Sequence, residues 1–338
     1  MKLLSIVIPV YNVEKFLRKC LDSVIVPESE LLKTPERDGY EYEIIAVNDG
    51  STDSSPEILN EYREKYPRLL RIVTKENGGL GSARNAGIPA AEGKYIIFPD
   101  SDDWLSENAV EEILQLCRER DFDLCFFGFR ALNEQGDVLE TVAGANEKGP
   151  FTLDSNPEIL LCRMNAWNKI YRRSLFTENG IAYPDRAWYE DVFTTPKLYT
   201  KAETMIAVDN VWYNYLLRKG SIMNNRNVQR NLEIIDAVDT MNTYYRENGL
   251  FEKFRDQLEY FTFYNELIAA TVRINLIDPR SPAQDRLLDY FLAEFPNYHE
   301  NPYVKKMSRK YKLLDKLITR RRHGAVHLLM KLNDLLRH

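Results

Sequence analysis

Four short apolar runs, each closing on a polar signature, constrain this chain more than any other feature. Residues 4–10 end at Tyr11-Asn12, 42–47 at Asn48-Asp49-Gly50, 69–73 before Asn77-Gly78-Gly79, and 95–98 at Pro99 and Asp100-Ser101-Asp102. Segments of helical period separate them. Val13, Phe16, Leu17, Cys20, Leu21 and Val24 form one stripe, with Asn12 placed to cap it. Ile58, Leu59 and Tyr62 form another behind Ser54, Ser55 and Pro56, and residues 83–90 a third. Strands alternating with helices of this length predict βαβ units and a mainly parallel sheet. Ligands of such sheets bind beyond the carboxyl ends of the strands, where all four signatures fall.

Further along, residues 105–116 predict a helix, 124–129 a strand, and 133–150 a polar loop or hairpin. Past about residue 228 the Leu, Ile and Tyr stripes of 232–245 and 254–272 predict helices. The length of 338 residues suits one large α/β domain with an appendage, and 44% hydrophobic with 28% charged residues allows a substantial core. No Cys-x-x-Cys spacing joins Cys20, Cys117, Cys125 and Cys162, which predicts free thiols in a cytosolic protein. The apolar run 3–10 is too short to span a bilayer and lacks a cleavage signal, so it is expected as a buried strand.

Charge is unevenly spread. The net charge is -6, yet residues 305–338 carry eleven Lys and Arg against Asp315 and Asp334. This tail suits either an interfacial helix on anionic lipid or a helix packed on the body with a solvated basic face. The acidic remainder argues against nucleic-acid binding.

Chemistry concentrates in four clusters. Asp100, Asp102 and Asp103 repel one another unless a cation intervenes, and hard carboxylate oxygens after a buried strand suit Mg²⁺ or Mn²⁺ with a diphosphate completing the shell. The plain alternative is a solvated turn capping the next helix; the position after a buried strand favours the ion. Asp49 can accept from a base N–H while Gly50 admits a close backbone approach; the segment is equally an Asx turn with Asp53 or Ser54 as helix cap, and both can hold at once. Asn77-Gly78-Gly79 leading to Arg84 can bind phosphate, but the spacing is neither the P-loop nor the dinucleotide fingerprint, and alone it reads first as a plain turn. Glu190-Asp191 beside Trp188 and Tyr189 offers a general base with a sugar platform, or a surface acidic pair. The four histidines fit no metal or triad pattern.

Taken in order, Ser5-Ile6-Val7-Ile8-Pro9-Val10-Tyr11-Asn12, Val47-Asn48-Asp49-Gly50-Ser51-Thr52-Asp53, Asn77-Gly78-Gly79 with Ala83-Arg84-Asn85-Ala86-Gly87, and Gly93-Lys94-Tyr95-Ile96 with Asp100-Ser101-Asp102-Asp103-Trp104 resemble the inverting glycosyltransferases of family 2. The resemblance covers residues 1 to about 220. It implies the α/β GT-A fold of nucleotide-diphospho-sugar transferases, a mainly parallel, Rossmann-like mixed sheet between helices, with a C-terminal helical extension. Residues 1–222 would form the catalytic domain (1–105 nucleotide-binding, 106–222 acceptor) and 223–338 a helical region with a basic amphipathic tail.

By the same resemblance Pro9, Val10 and Tyr11 line the base pocket and Asp49 binds the base, most often uracil. Asn77, Gly79, Arg84, Ser101 and Lys169 belong to the nucleotide-sugar site. Asp100 meets the ribose or metal, Asp102 ligates Mn²⁺ or Mg²⁺, Asp191 is the catalytic base beside Glu190, and Trp188 and Tyr189 orient the acceptor. Asn168-Lys169 and residues 218–221 stand where relatives close over the diphosphate. Asn48 replaces a common Asp, and the link 26–42 is longer than usual.

The implied activity is transfer of a hexosyl or N-acetylhexosaminyl group from a UDP-sugar to a hydroxyl of a glycan or lipid-linked acceptor, in cell-surface polysaccharide synthesis. The expected location is the cytoplasm, peripheral on the membrane face if the tail binds lipid. The competing reading is an inactive nucleotide-sugar-binding or scaffold protein on the same fold, because fold does not fix function.

Overall fold

Seven consecutive buried residues, Leu4–Val10, form strand β1 in the interior of the sheet. The computed structural model describes residues 2–26, 41–218 and 227–335. Most of the long link 26–42 and residues 219–221 lie outside them. The strands are β1, β2 (Tyr42–Asn48), β3 (Leu70–Thr74), β4 (Tyr95–Ile97), β5 (Trp104–Leu105), β6 (Leu124–Leu132), β7 (Val138–Val142), β8 (Lys169–Arg172) and β9 (Met205–Leu216). Their order is β3-β2-β1-β4-β8-β6-β9-β5, with β7 paired to β6.

The first four strands are all parallel, so the polar ends 11–12, 48–50, 75–79 and 98–103 emerge along one edge. Beyond β4 the sheet turns mixed. β8 is antiparallel to both β4 and β6, while β6 and β9 run parallel. The sheet is thus wholly parallel through its first four strands and mixed beyond them, with β6 and β9 a further parallel pair.

Alternation along β1 explains the layers. Leu4, Ile6, Ile8 and Val10 face a core shared with α1 (Glu14–Val24), α2 (Ser55–Lys65) and α4 (Ala109–Glu119). Val7 points to the opposite face, against α3 (Leu80–Gly87), where Gly87 leaves room for it.

Two local expectations are corrected. Asn12 does not cap α1. Its Oδ1 accepts from the Thr52 backbone N–H (2.8 Å), and the first N–H of α1, on Glu14, donates instead to Asp53 Oδ2 (2.9 Å). Asp53 Oδ1 also accepts from Ser55 N–H (3.0 Å), so one carboxylate serves the N-termini of α1 and α2. The helix expected from residue 105 starts at Ala109. Trp104–Leu105 instead pairs with β9, and Asn108, at φ 59°, turns the chain into α4.

By contacts the chain divides into two units, Met1–Ile159 with Met164–Ser221, and Leu160–Arg163 with Ile222–His338. The second is helical, with Glu233–Glu247, a rod from Arg255 to Ile277 whose middle, Phe263–Ala270, is π-helical, Ala283–Glu294, Arg309–Thr319 and His323–Leu335. Phe263, Phe291 and Tyr298 interlock in its core. Leu314, Ile318 and Val326 of the basic tail are buried, while Leu313, Leu328 and Leu332 are exposed. No described helix is long and apolar enough to cross a membrane, and none of the four cysteines is in a disulfide.

Candidate active site

The acidic turn after β4 is a β-turn closed by Asp103 N–H on the Asp100 carbonyl (3.1 Å). Its three carboxylates have separate partners. Asp103 is buried and holds the turn to β9, accepting from Tyr213 Oη (2.7 Å) and Leu216 N–H (2.7 Å). It is an anchor, not the helix cap that its sequence position suggested. The Tyr213 hydroxyl also accepts from Asp100 N–H (3.1 Å), fixing the start of the turn. Ser101 is buried within it. Asp102 is partly exposed, and its Oδ2 accepts from Arg218 Nε (2.8 Å).

Asp100 faces inward. Its Oδ1 accepts from Arg84 Nη2 (2.9 Å), while Arg84 Nη1 donates to Glu190 Oε1 (2.6 Å). The Arg84 side chain is only 1% exposed, with its two terminal nitrogens on these two carboxylates. It lies beneath the site and ties the acidic turn to the first residue of α5 (Glu190–Tyr199). Burial pushes the Asp100 carboxyl up to about 7; Arg84 opposes the rise, and the charges of Asp102 and Glu190 reinforce it. Burial also drives Asp191 up to about 6, helped by Glu190 and opposed by Arg84. Asp191 Oδ1 accepts from Val192 N–H (2.9 Å), which fixes its orientation at the head of α5.

The approach to this pair is strained. Tyr189 and Arg186 hold φ of 64° and 56°, left-handed values that bulky side chains rarely adopt. The glycine loop holds the segment in place. Arg186 N–H donates to the Gly78 carbonyl (2.8 Å), and a side chain at Gly79, itself at φ +89°, would meet the Arg186 backbone at 3.1 Å. One helical turn on, Asn85 and Tyr183 exchange two hydrogen bonds (2.7 and 2.9 Å).

The loop's own N–H groups also have a target. Gly78 N–H (2.9 Å) and Gly79 N–H (2.8 Å) donate to the two oxygens of Asp49, joined by Lys75 Nζ (2.7 Å) and Asn77 Nδ2 (3.1 Å). Asp49 is buried, and these four donors fill its acceptor positions. In this structure Asp49 anchors the loop, and the loop's anion is this carboxylate. Lys169 is likewise withdrawn. Fully buried, it donates to the Asn165 carbonyl (2.6 Å) and Asn168 Oδ1 (2.9 Å), as a positive charge behind Asp191.

Pro9 and Val10 are buried at the end of β1, whereas Tyr11 is 50% exposed. Trp188 and Tyr189 are half-buried on the approach to α5. Sequence reasoning missed the roles of Lys75, Arg186 and Tyr213. Their partners are distant in the chain, and no local pattern marks them.

A divalent ion fits this donor set in one way. Among the described residues no group of three His, Cys, Asp or Glu side chains converges. Asp102, with Asp100 beside it, offers the one or two carboxylates with which Mg²⁺ or Mn²⁺ sites that borrow substrate phosphate oxygens are made.

The sequence model of glycosyl transferase family 2 matches residues 5–190, which hold the acidic turn, the glycine loop and Glu190. The chain belongs to glycosyltransferase family 2. Among similar family members is the putative glycosyltransferase EpsH of Bacillus subtilis, 30% identical over 76% of this chain and 73% of its own. The glycosyltransferase GlyA of Streptococcus pneumoniae is 32% identical over 65% of this chain. The poly(ribitol-phosphate) beta-glucosyltransferase of Bacillus spizizenii is 34% identical over 64%. The chain spans only 31% and 32% of the lengths of those two proteins.

In three dimensions the chain resembles residues 1–349 of Staphylococcus aureus TarS in complex with UDP (TM-score 0.60, 21% identity, 91% of this chain and 93% of that one). It also resembles a Pyrobaculum calidifontis mannosyltransferase with GDP-Man and Mn²⁺ (TM-score 0.54, 15% identity, 96% and 86%). These likenesses establish the GT-A fold, with its mixed sheet, flanking helices and helical C-terminal region.

Proposed function

We propose that this chain is an inverting glycosyltransferase that moves a hexosyl or N-acetylhexosaminyl group from a UDP-sugar to a hydroxyl of a surface glycan or its lipid-linked precursor. The observation that carries the reading is Arg84, whose guanidinium meets both Asp100 and Glu190. This shared cation supports the reading that the acidic turn and the Glu190-Asp191 pair act together, as a single displacement requires.

In this reading residues 1–222 are the catalytic domain and 223–338 a helical region. The nucleotide lies beyond the ends of β1 and β2, with Pro9, Val10 and Tyr11 on one side and the Asp49-anchored loop on the other. Asp102, with Asp100 nearby, holds Mn²⁺ or Mg²⁺, which when bound offsets charge on the diphosphate. Asp191 takes the acceptor hydroxyl's proton, since a neutral hydroxyl is a weak nucleophile. Trp188 and Tyr189 orient the acceptor. The UDP-bound TarS structure and the Mn²⁺-bound mannosyltransferase support the donor class and the ion.

The basic tail supports a place at the cytoplasmic membrane face. On Arg309–Thr319 the exposed Leu313 stands among the exposed Arg309, Lys310 and Lys316.

The test is UDP release from a panel of UDP-sugars with Mn²⁺ and candidate acceptors. Transfer should fall at least about 100-fold in Asp191→Asn. Full activity in that variant would remove Asp191 from the role.

A further inference from the structure

The three carboxylates of the acidic turn differ in how firmly their partners hold them. Asp103 is locked by Tyr213 and a backbone N–H, and Asp100 by an arginine that is itself buried between two carboxylates. The partner of Asp102 is of another kind. Arg218 follows β9, and its side chain is 18% exposed against 22% for Asp102. Its Nε and Nη2 both lie 2.8 Å from the same oxygen, Oδ2, so the fork does not span the carboxylate. Its guanidinium carbon stands 4.8 Å from the centre of the Phe16 ring, which supports the cation in this position.

We propose that Arg218 is the resident counter-ion of Asp102 in the nucleotide-free enzyme, and that a divalent ion must displace it to bind there. The inference rests on the reading of Asp102 as the metal ligand. A second cation on this carboxylate, at Oδ2 or at the other oxygen, stands within a few ångströms of the guanidinium and meets strong like-charge repulsion. The ion therefore binds the empty enzyme against the cost of breaking the pair. A diphosphate changes that balance, because a guanidinium released from Asp102 finds in it the planar anionic partner that arginine suits best. Whatever draws Arg218 from Asp102 strengthens ion binding, and by linkage the ion strengthens nucleotide binding equally. Arg218 thus favours assembly of the ion and nucleotide together over loading of the ion alone.

Mn²⁺ binding followed by electron paramagnetic resonance, with and without UDP, tests this without any turnover. In Arg218→Met, which keeps an apolar contact for Phe16, the Mn²⁺ affinity of the nucleotide-free protein should rise about fivefold, the size of a partly exposed ion pair. The enhancement of Mn²⁺ binding by UDP should shrink. Arg218→Lys should stay near the wild type, and Asp102→Asn should lose the site. Equal Mn²⁺ affinities in wild type and Arg218→Met, with Mn²⁺ bound to both, would overturn the counter-ion role alone. Absence of saturable Mn²⁺ binding in every variant, or its persistence in Asp102→Asn, would overturn the metal reading as well.

Discussion

Arg84 donates to Glu190 across 106 positions of sequence, at 2.6 Å and almost wholly out of solvent. Its other terminal nitrogen meets Asp100, so two carboxylates from different parts of the fold share one cation. Removing a buried cation from two carboxylates leaves both charges uncompensated. Arg84→Met should destabilise the N-terminal unit by about 3–5 kcal/mol, read from urea unfolding. Arg84→Lys should recover little, because a single ammonium cannot span both acids as a fork does.

The transfer rate should depend on Asp191 through its proton. Burial beside Glu190 pushes this carboxyl up to about 6, and only the ionised form accepts a proton. At saturating donor, the rate should therefore rise as pH increases through about 6 and then level off. A flat profile from pH 5 to 8 would contradict the assignment. The same upward shift means that charging Asp191 works against the folded state, so this group's contribution to stability declines from the ordinary aspartate range up to about pH 6.

Asp53 serves two helix N-termini at once, and its backbone partners outweigh burial to hold its pKa below the usual range. Asp53→Ala should cost about 1–2 kcal/mol at neutral pH, and Asp53→Asn less. A group with a lowered folded pKa stabilises above its unfolded value, near 3.8, and loses that effect as pH falls through the folded one. Denaturant midpoints of wild type and Asp53→Ala should accordingly converge in acid.

Glu266, in the π-helical stretch of the C-terminal unit, is fully buried with no hydrogen-bond partner on either carboxyl oxygen. Burial alone drives its pKa well above the ordinary glutamate value. Glu266→Met should stabilise this unit by about 1–3 kcal/mol at neutral pH. The gain should shrink toward pH 4, where the glutamate is protonated in both folded and unfolded chains. Thermal unfolding at two pH values measures both.

Deleting residues 309–338 should abolish flotation with anionic liposomes if the exposed Leu313, Leu328 and Leu332 insert among lipid headgroups. Unchanged flotation of the truncated chain would remove the tail from that role.

The parallel half of the sheet was legible because β1, β2 and β4 are wholly buried and read as largely apolar runs with polar ends. The mixed half was not. β8 is Lys169-Ile170-Tyr171-Arg172, a strand carrying two cations whose burial depends on partners such as Asp123, which accepts from Arg172 Nε at 2.7 Å. Leu105 fits a helical stripe by spacing, yet pairing with Tyr213 decides its conformation. The acidic clusters announced themselves by composition. What each acid does was hidden, because Arg84, Tyr213 and Lys75 reach Asp100, Asp103 and Asp49 from 16, 110 and 26 residues away.

The Asp49-centred loop has a consequence for how a nucleotide is met. A turn that gains its shape only when a phosphate arrives charges the ordering entropy to the binding event. Here the chain supplies an anion of its own, held from strand β2, so the loop takes its form during folding. Association then carries little of that cost, and affinity depends on fit to a surface already made.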